Sequence, residues 1–260
     1  HPGSVVFINN IRHGVTGDSG EVVLPRVKAG SYPVRVRTVG FIDWRGRAVI
    51  AAGSKGTLKV SQQPTTDEAV LHYQRGDQLR DGGKNEEAVK EYKKAVELRP
   101  VFPEARVGMV RSLILLQDFA EAEKQIQTAI KQHKGPYPEA QTVLANMRRN
   151  QGLIEESIVE YRKALRLARG ISPEAHIGLA IALEEMNEMN EAIREYRAGI
   201  AQDMDTEPIL YYLLASALEK SQRYKEAIDA YRGYLRLDPE GQYASAVESI
   251  IERLKEEIDR

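Results

Sequence analysis

Five histidines are the residues of this sequence best suited to chemistry: His1, His13, His72, His133 and His176. No two stand at the spacing that turns paired imidazoles onto one helix face, and no His-Glu-x-x-His occurs. His72 and His176 hold equivalent places in two stretches of similar pattern, which points to packing rather than to metal binding or proton transfer. The carboxylate pairs Glu86–Glu87, Glu155–Glu156 and Glu184–Glu185 fall on helix surfaces or early turns, where carboxylates solvate the helix or complement its dipole. GDSGEVV (17–23) is glycine-containing but lacks the strand–turn–helix setting of a phosphate loop or a nucleophile elbow. Without cysteine there is no disulfide framework, thiolate metal site or thiol nucleophile. These residues predict a non-enzyme with no metal and no cofactor.

At 260 residues the chain has room for one large domain or for a small one joined to a larger one. Its net charge of −1 gives no overall attraction to nucleic acid or to an anionic membrane. The charge is unevenly placed, however. Residues 1–62 carry 9 Lys and Arg against 3 Asp and Glu, while the remainder carries 28 against 35. Such a sign change predicts two domains with different surroundings. No run approaches the ~20 apolar residues of a membrane span. The opening HPGS has no initiator Met and reads as a boundary or tag remnant, which leaves room for an export signal or anchor upstream. Absence of cysteine fits a cell-envelope protein, periplasmic or extracytoplasmic, and fits a cytoplasmic one as well.

The elements that must position any site change character along the chain. VVFIN (5–9), EVVL (21–24), YPVRVRTV (32–39), RAVIAA (47–52) and TLKV (57–60) are short and β-branched, and turns separate them. Val34, Val36 and Thr38 share one strand face and Arg35 and Arg37 the other, which predicts an antiparallel sheet with one buried and one wet face. SQQPTTDE (61–68) reads as a linker in which Thr66 or Asp67 caps the first helix. After it the period becomes 3.6. The small residues Ala88, Ala122, Ser157, Ala192 and Ala227 recur at intervals of 34, 35, 35 and 35, each followed four places on by Tyr92, Ile126, Tyr161, Tyr196 or Tyr231. A second helix precedes each. Small residues let paired backbones approach, the bulky residue fills the space beside them, and stacking makes the core continuous.

This pattern resembles the tetratricopeptide repeat family over residues 67–240. It departs modestly: His72, Arg106, Gln141 and His176 stand where the family has a large aromatic, and Tyr234 where it has a small residue. The tail QYASAVESIIERLKEEIDR places Tyr243, Val247, Ile250, Ile251, Leu254 and Ile258 on one face, similar to the helix that closes such arrays. The start resembles PEGA-type or carboxypeptidase regulatory-like β-sandwich domains, through V-x-I-N-N, a G-x-T turn and G-S-Y-x-V-x-V running into G-F. The resemblance implies a small antiparallel β-sandwich (1–62), a right-handed α-solenoid of five helix pairs (63–240) and a C-terminal capping helix (241–260).

In that family the first helix of each pair lines a concave groove, which implies a stripe of partner-binding residues here. Its members include Tyr73, Asp77 and Arg80, then Val107 and Arg111, then Asn146 and Arg149. It continues with Ile177, Ile181 and Glu184, then Tyr212 and Glu219. Apolar and aromatic residues interleaved with Arg and Asn suit a protein or peptide partner. Asn146 occupies a place like that of a carboxylate clamp, but Thr142 and Gly178 replace its cations, so no clamp is carried over. Arg35, Arg37, Arg45 and Arg47 beside Trp44 and Tyr32 could bind single-stranded nucleic acid, yet they read more simply as the wet face of a sheet. No nucleic-acid partner is expected. That face is better matched to an anionic envelope polymer or to the acidic repeats of the same chain. The reading is a bacterial envelope scaffold that binds a protein segment in the groove. The alternative is a carbohydrate-binding or surface-anchoring protein in which the β domain binds and the repeats are a spacer.

Overall fold

The computed structural model describes residues 1–9, 11–24, 27, 29–53, 56–203 and 207–259. Asn10 of the V-x-I-N-N stretch and the terminal Arg260 lie outside the described residues. The strands β1 (Val5–Ile8), β2 (Ile11–Val15), β3 (Gly30–Arg37) and β4 (Trp44–Ile50) form one antiparallel sheet in the order β2-β1-β3-β4. Val6 lies opposite Val36 and Ile8 opposite Val34, and Val36 in turn faces Trp44. Among the described residues the sheet is a single layer, where two facing layers were expected. EVVL (21–24) and TLKV (57–60) run outside it. The Val22 side chain leans instead on Gly14 of β2, where a Cβ would lie 2.9 Å away. β2 itself was not anticipated. Gly14 and a register shift between Val6 and Phe7 blur its alternation.

Eleven helices follow among the described residues: α1 (Glu68–Asp81), α2 (Asn85–Leu98), α3 (Pro103–Leu115), α4 (Phe119–Gln132), α5 (Pro138–Asn150), α6 (Ile154–Leu167), α7 (Pro173–Glu185), α8 (Met189–Asp203), α9 (Pro208–Lys220), α10 (Tyr224–Leu237) and α11 (Ala244–Asp259). Asp67 caps α1 by accepting from the Val70 amide, and proline opens α3, α5, α7 and α9, where its missing N–H has no helical partner to lose. The turns that end α1, α3, α5, α7 and α9 are built alike. Gly83, Gln117, Gly152, Asn187 and Gln222 all take positive φ, between 59° and 78°. The next amide, from Lys84, Asp118, Leu153, Glu188 or Arg223, donates back to a carbonyl five residues earlier at 2.8–3.0 Å.

The chain divides into two compact units, His1–Gly170 and Ile171–Arg260. In the first, α1 packs on α2, α3 on α4 and α5 on α6, with α2 also against α3 and α4 against α5. Ala88, Ala122, Ser157, Tyr92, Ile126 and Tyr161 are fully buried there. The Tyr92 ring passes so close to Gly76 of α1 and Gly108 of α3 that a Cβ at either would come within 2.7 or 2.8 Å of it. In the second unit α7 pairs with α8 and α9 with α10, around buried Ala192, Tyr196, Ala227 and Tyr231. There α11 packs on α10 and buries Ala244 together with Val247, Ile251 and Leu254 of the face its sequence marks out, while Ile250 and Ile258 are half-buried and Tyr243 is exposed.

A leucine at a position with no space must displace a neighbouring helix. Ala192→Leu is therefore expected to destabilise the protein by about 1–3 kcal/mol and to lower the melting temperature. The exposed change Glu155→Ala should leave it almost unmoved. Scanning calorimetry of the two variants checks the register.

Candidate partner-binding surface

The first three stripe residues do not stand open. Asp77 is 2% exposed and lies at the centre of a charged cluster. Arg37 of β3 donates one guanidinium nitrogen to Asp77 and the other to Asp81 at 2.8 Å. Arg80 pairs with Asp77 at 3.0 Å and with Asp81 at 3.0 Å. The Tyr92 hydroxyl donates to the second oxygen of Asp77 at 2.6 Å. One turn back on α1, buried Gln74 accepts from the Gly40 amide at 2.9 Å and donates to the Phe41 carbonyl at 2.7 Å. The Tyr73 ring packs tilted against Phe102 and Tyr92, with ring centroids 5.2 and 6.3 Å away. The expected wet face of the sheet is thus corrected at Arg37, which is 5% exposed. Alternation along β3 places Arg37 beside Arg35 and Phe7, and α1 supplies the carboxylates that let this face be buried.

Electrostatics follow the burial. Desolvation works to lower the Arg37 pKa, but Asp77, Tyr73 and Asp81 outweigh it and hold it above its ordinary value. Arg80 behaves likewise: desolvation opposes its charge, while Asp77, Tyr92 and Asp81 raise its pKa. Burial, and after it Asp77, pushes the Tyr92 and Tyr73 phenols well up. Burial, then Glu139 and Glu104, raises Tyr137 at the start of α5, with Arg111 and Arg45 of β4 opposing. Arg80 adds no net positive charge to the stripe, because Asp77 and Asp81 balance it and Arg37 together.

A second regularity explains the other polar stripe residues. Tyr161 donates its hydroxyl to Asn146 at 2.5 Å, Tyr196 to Glu184 at 2.9 Å and Tyr231 to Glu219 at 3.0 Å. With Tyr92 and Asp77, the tyrosine at each of these four repeated core places thus reaches a polar residue of the stripe. Where Ile126 replaces the tyrosine, Arg111 and Ile114 occupy those places, so neither offers a carboxylate or an amide. Arg111 lies 3.6 Å from Glu139. In the second unit Glu184 also accepts from Lys220 at 2.5 Å, and Glu219 from Arg253 of α11 at 2.6 Å. Tyr212 stacks on Tyr243 at 5.1 Å and meets Tyr234 at 6.2 Å, which accounts for the tyrosine at a usually small position. Val107 is buried, Arg149 half-buried, and Ile177 and Ile181 half-buried one turn apart on α7.

The histidines have equally local partners. His72 meets Glu91 at 2.6 Å and His176 meets Glu195 at 2.5 Å, across the two helices of a pair. Arg106 bonds Gln125 and Gln141 bonds Glu160 at the equivalent places. These polar pairs stand in for the family's aromatic. Among the described residues no group of three His, Asp or Glu side chains is placed to hold a metal ion, and no helix is long and apolar enough to cross a membrane.

Helix pairs with these turns and this spacing are matched by two tetratricopeptide-repeat family models, over residues 79–147 and 177–242. These helices are tetratricopeptide repeats. The solved structure of TTC0263, a thermophilic repeat protein of Thermus thermophilus, is similar in fold. Its TM-score is 0.59 at 18% identity, covering 70% of this chain and 98% of that one. PilF of Pseudomonas aeruginosa is similar with TM-score 0.63 and 15% identity, over 74% and 85% of the two chains. MamA of Desulfovibrio magneticus RS-1 matches at TM-score 0.53 and 16% identity, over 68% and 98%. No curated protein sequence matches the chain. Tetratricopeptide-repeat proteins are generally non-enzymatic scaffolds for protein interaction, and these likenesses bear on the fold alone.

Sequence reasoning did not single out Arg37 as a partner of Asp77, nor Gln74 and Asp81. The arginine face of the sheet is matched in sequence to the acidic repeats of the chain as one candidate, but to no residue among them. The hydroxyl pairs give a sharper test. Tyr92→Phe removes a bond to a buried carboxylate and should cost about 1.5–3 kcal/mol, whereas Tyr161→Phe removes one to neutral Asn146 and should cost about 0.5–1.5 kcal/mol. Urea unfolding of both variants is expected to give that order.

Proposed function

We propose that the chain is a protein-interaction scaffold in which the stripe faces of α7 and α9, within the second unit, hold a segment of a partner protein. The observation that carries this reading is the division of labour within the stripe. Its carboxylates are already engaged by core tyrosines and neighbouring cations, whereas Ile177, Ile181 and Ile209, the last 38% exposed, present apolar surface on α7 and α9 of one unit. Half-exposed isoleucines flanked by held charges suit an extended or helical segment with apolar anchors. A place in the bacterial envelope fits the absence of cysteine and the resemblance of residues 5–60 to envelope-associated modules.

A photo-crosslinking residue introduced at Ile181 of the full chain is expected to capture one partner protein, and the same residue at Arg194, exposed on α8, to capture none. Ile181→Glu should abolish that capture when the probe sits at Ile177. Equal capture from Ile181 and Arg194 overturns the groove. Capture only from a probe at Val49 of β4 moves binding to the sheet and leaves the repeats as a spacer.

A further inference from the structure

Within the first unit, the stripe face of α1 already holds a ligand group, supplied by the chain itself. Asp77 and Asp81 stand one helical turn apart, and the two nitrogens of the Arg37 fork reach one carboxylate each. A planar guanidinium can bridge two acids at that spacing, whereas a single ammonium cannot present paired donors in a fixed plane. Arg80 and Tyr92 hold Asp77 in place from the far side, at 3.0 and 2.6 Å. Tyr73, Tyr92 and Phe102 form an aromatic group beside it. What fastens the sheet here is polar: the Arg37 fork and the two Gln74 bonds to Gly40 and Phe41. The segment 61–66 between sheet and α1 contains no helix or ladder strand; it bridges Phe41 at Pro64 and is tied to the sheet side, with the Gln63 carbonyl accepting from the Ile42 N–H at 2.8 Å, the Thr65 N–H donating to the Gly40 carbonyl at 2.9 Å and the Gln62 amide donating to the Val36 and Ile42 carbonyls at 3.1 Å. A docked element held by a charged fork and a few amide bonds is exchangeable in a way that an apolar interface is not.

We infer that the stripe face of the first helix pair is a guanidinium-binding site which the chain fills with its own Arg37, so that an arginine-bearing partner segment must displace the β sheet to enter. The partner half of this inference rests on the scaffold reading above. The site itself rests on Asp77, Asp81 and Arg37. The first helix pair would then take a cationic rather than an acidic segment.

The chain has no cysteine, so Val49→Cys on the exposed edge of β4 and Lys90→Cys on α2 accept a unique pair of spin labels in the full chain. The separation of the two labels should be narrowly distributed with Arg37 present and broad in Arg37→Gln. The probe is the acetylated, amidated peptide VRVRT, copied from residues 34–38. It should bind Arg37→Gln about tenfold or more tighter than it binds the parent chain, equivalent to about 1.4 kcal/mol. The lysine version VKVKT should gain little from the same substitution. Arg37→Lys, which keeps the charge and loses the fork, serves if Arg37→Gln fails to fold, and should likewise broaden the separation. An unbroadened separation, equal peptide affinity with and without Arg37, or equal binding of the two peptides overturns the inference. Crosslinking at Ile181 in the same proteins is independent of these readouts. If it persists while they fail, only the guanidinium site is lost. If it fails while they hold, the groove is lost.

Discussion

A carboxylate buried as deeply as Asp77 must be compensated on every side, because an unpaired charge in that setting would cost several kcal/mol. Much of the first unit follows from meeting this demand. Tyr92 supplies one hydroxyl, and reaching Asp77 sends its ring past Gly76 and Gly108, where no side chain fits. Arg80 supplies charge from the same helix. Arg37 supplies the remainder, and it sits on a strand, so pairing Asp77 brings the sheet onto α1. At Arg37 a sheet face that its alternation marks as polar becomes internal, while Arg45 and Arg47 farther along the same face stay exposed.

The same economy runs through the other repeats with weaker groups. Close approach at Ala88, Ser157, Ala192 and Ala227 leaves space for a tyrosine, and its hydroxyl must find an acceptor once the ring is buried. The acceptor comes from the neighbouring first helix, as Asn146, Glu184 or Glu219. Core packing therefore dictates polar residues on the stripe, and what is left for recognition is the apolar remainder. Lys220 and Arg253 then tie Glu184 and Glu219 to the following helix, so α11 supplies the last repeat with the charge that α9 gives the one before.

How much of this was legible in the chain depended on the kind of constraint. Steric constraints at fully buried places repeat every 34 or 35 residues and are visible in Ala88 through Ala227. The left-handed turns were visible at Gly83, Gly152 and Asn187, residue types that tolerate positive φ, but not at Gln117 and Gln222, whose conformation is imposed by the helix-ending bond pattern. β2 was hidden by Gly14 and the register shift. Alternation in β3 told which residues share a face with Arg37 but could not tell what covers it, because that depends on pairing with residues 40 and 44 positions away. The stripe was located by spacing, yet its members Asp77, Asn146, Glu184 and Glu219 turn out to answer to core tyrosines, a coupling of residues 12 or 15 positions apart.

The central claim is that Asp77 and Arg37 act as one unit joining sheet to helices. Trp44, the chain's single tryptophan, lies opposite Val36, the residue before Arg37, and so reports on the sheet directly. The most direct measurement is a double-mutant cycle with Arg37→Gln and Asp77→Asn in the full chain, followed by Trp44 fluorescence in urea. Coupled residues should give an interaction energy above about 1 kcal/mol, so that the second substitution costs far less once the first is made. Two substitutions whose effects add to within about 0.5 kcal/mol would contradict the account.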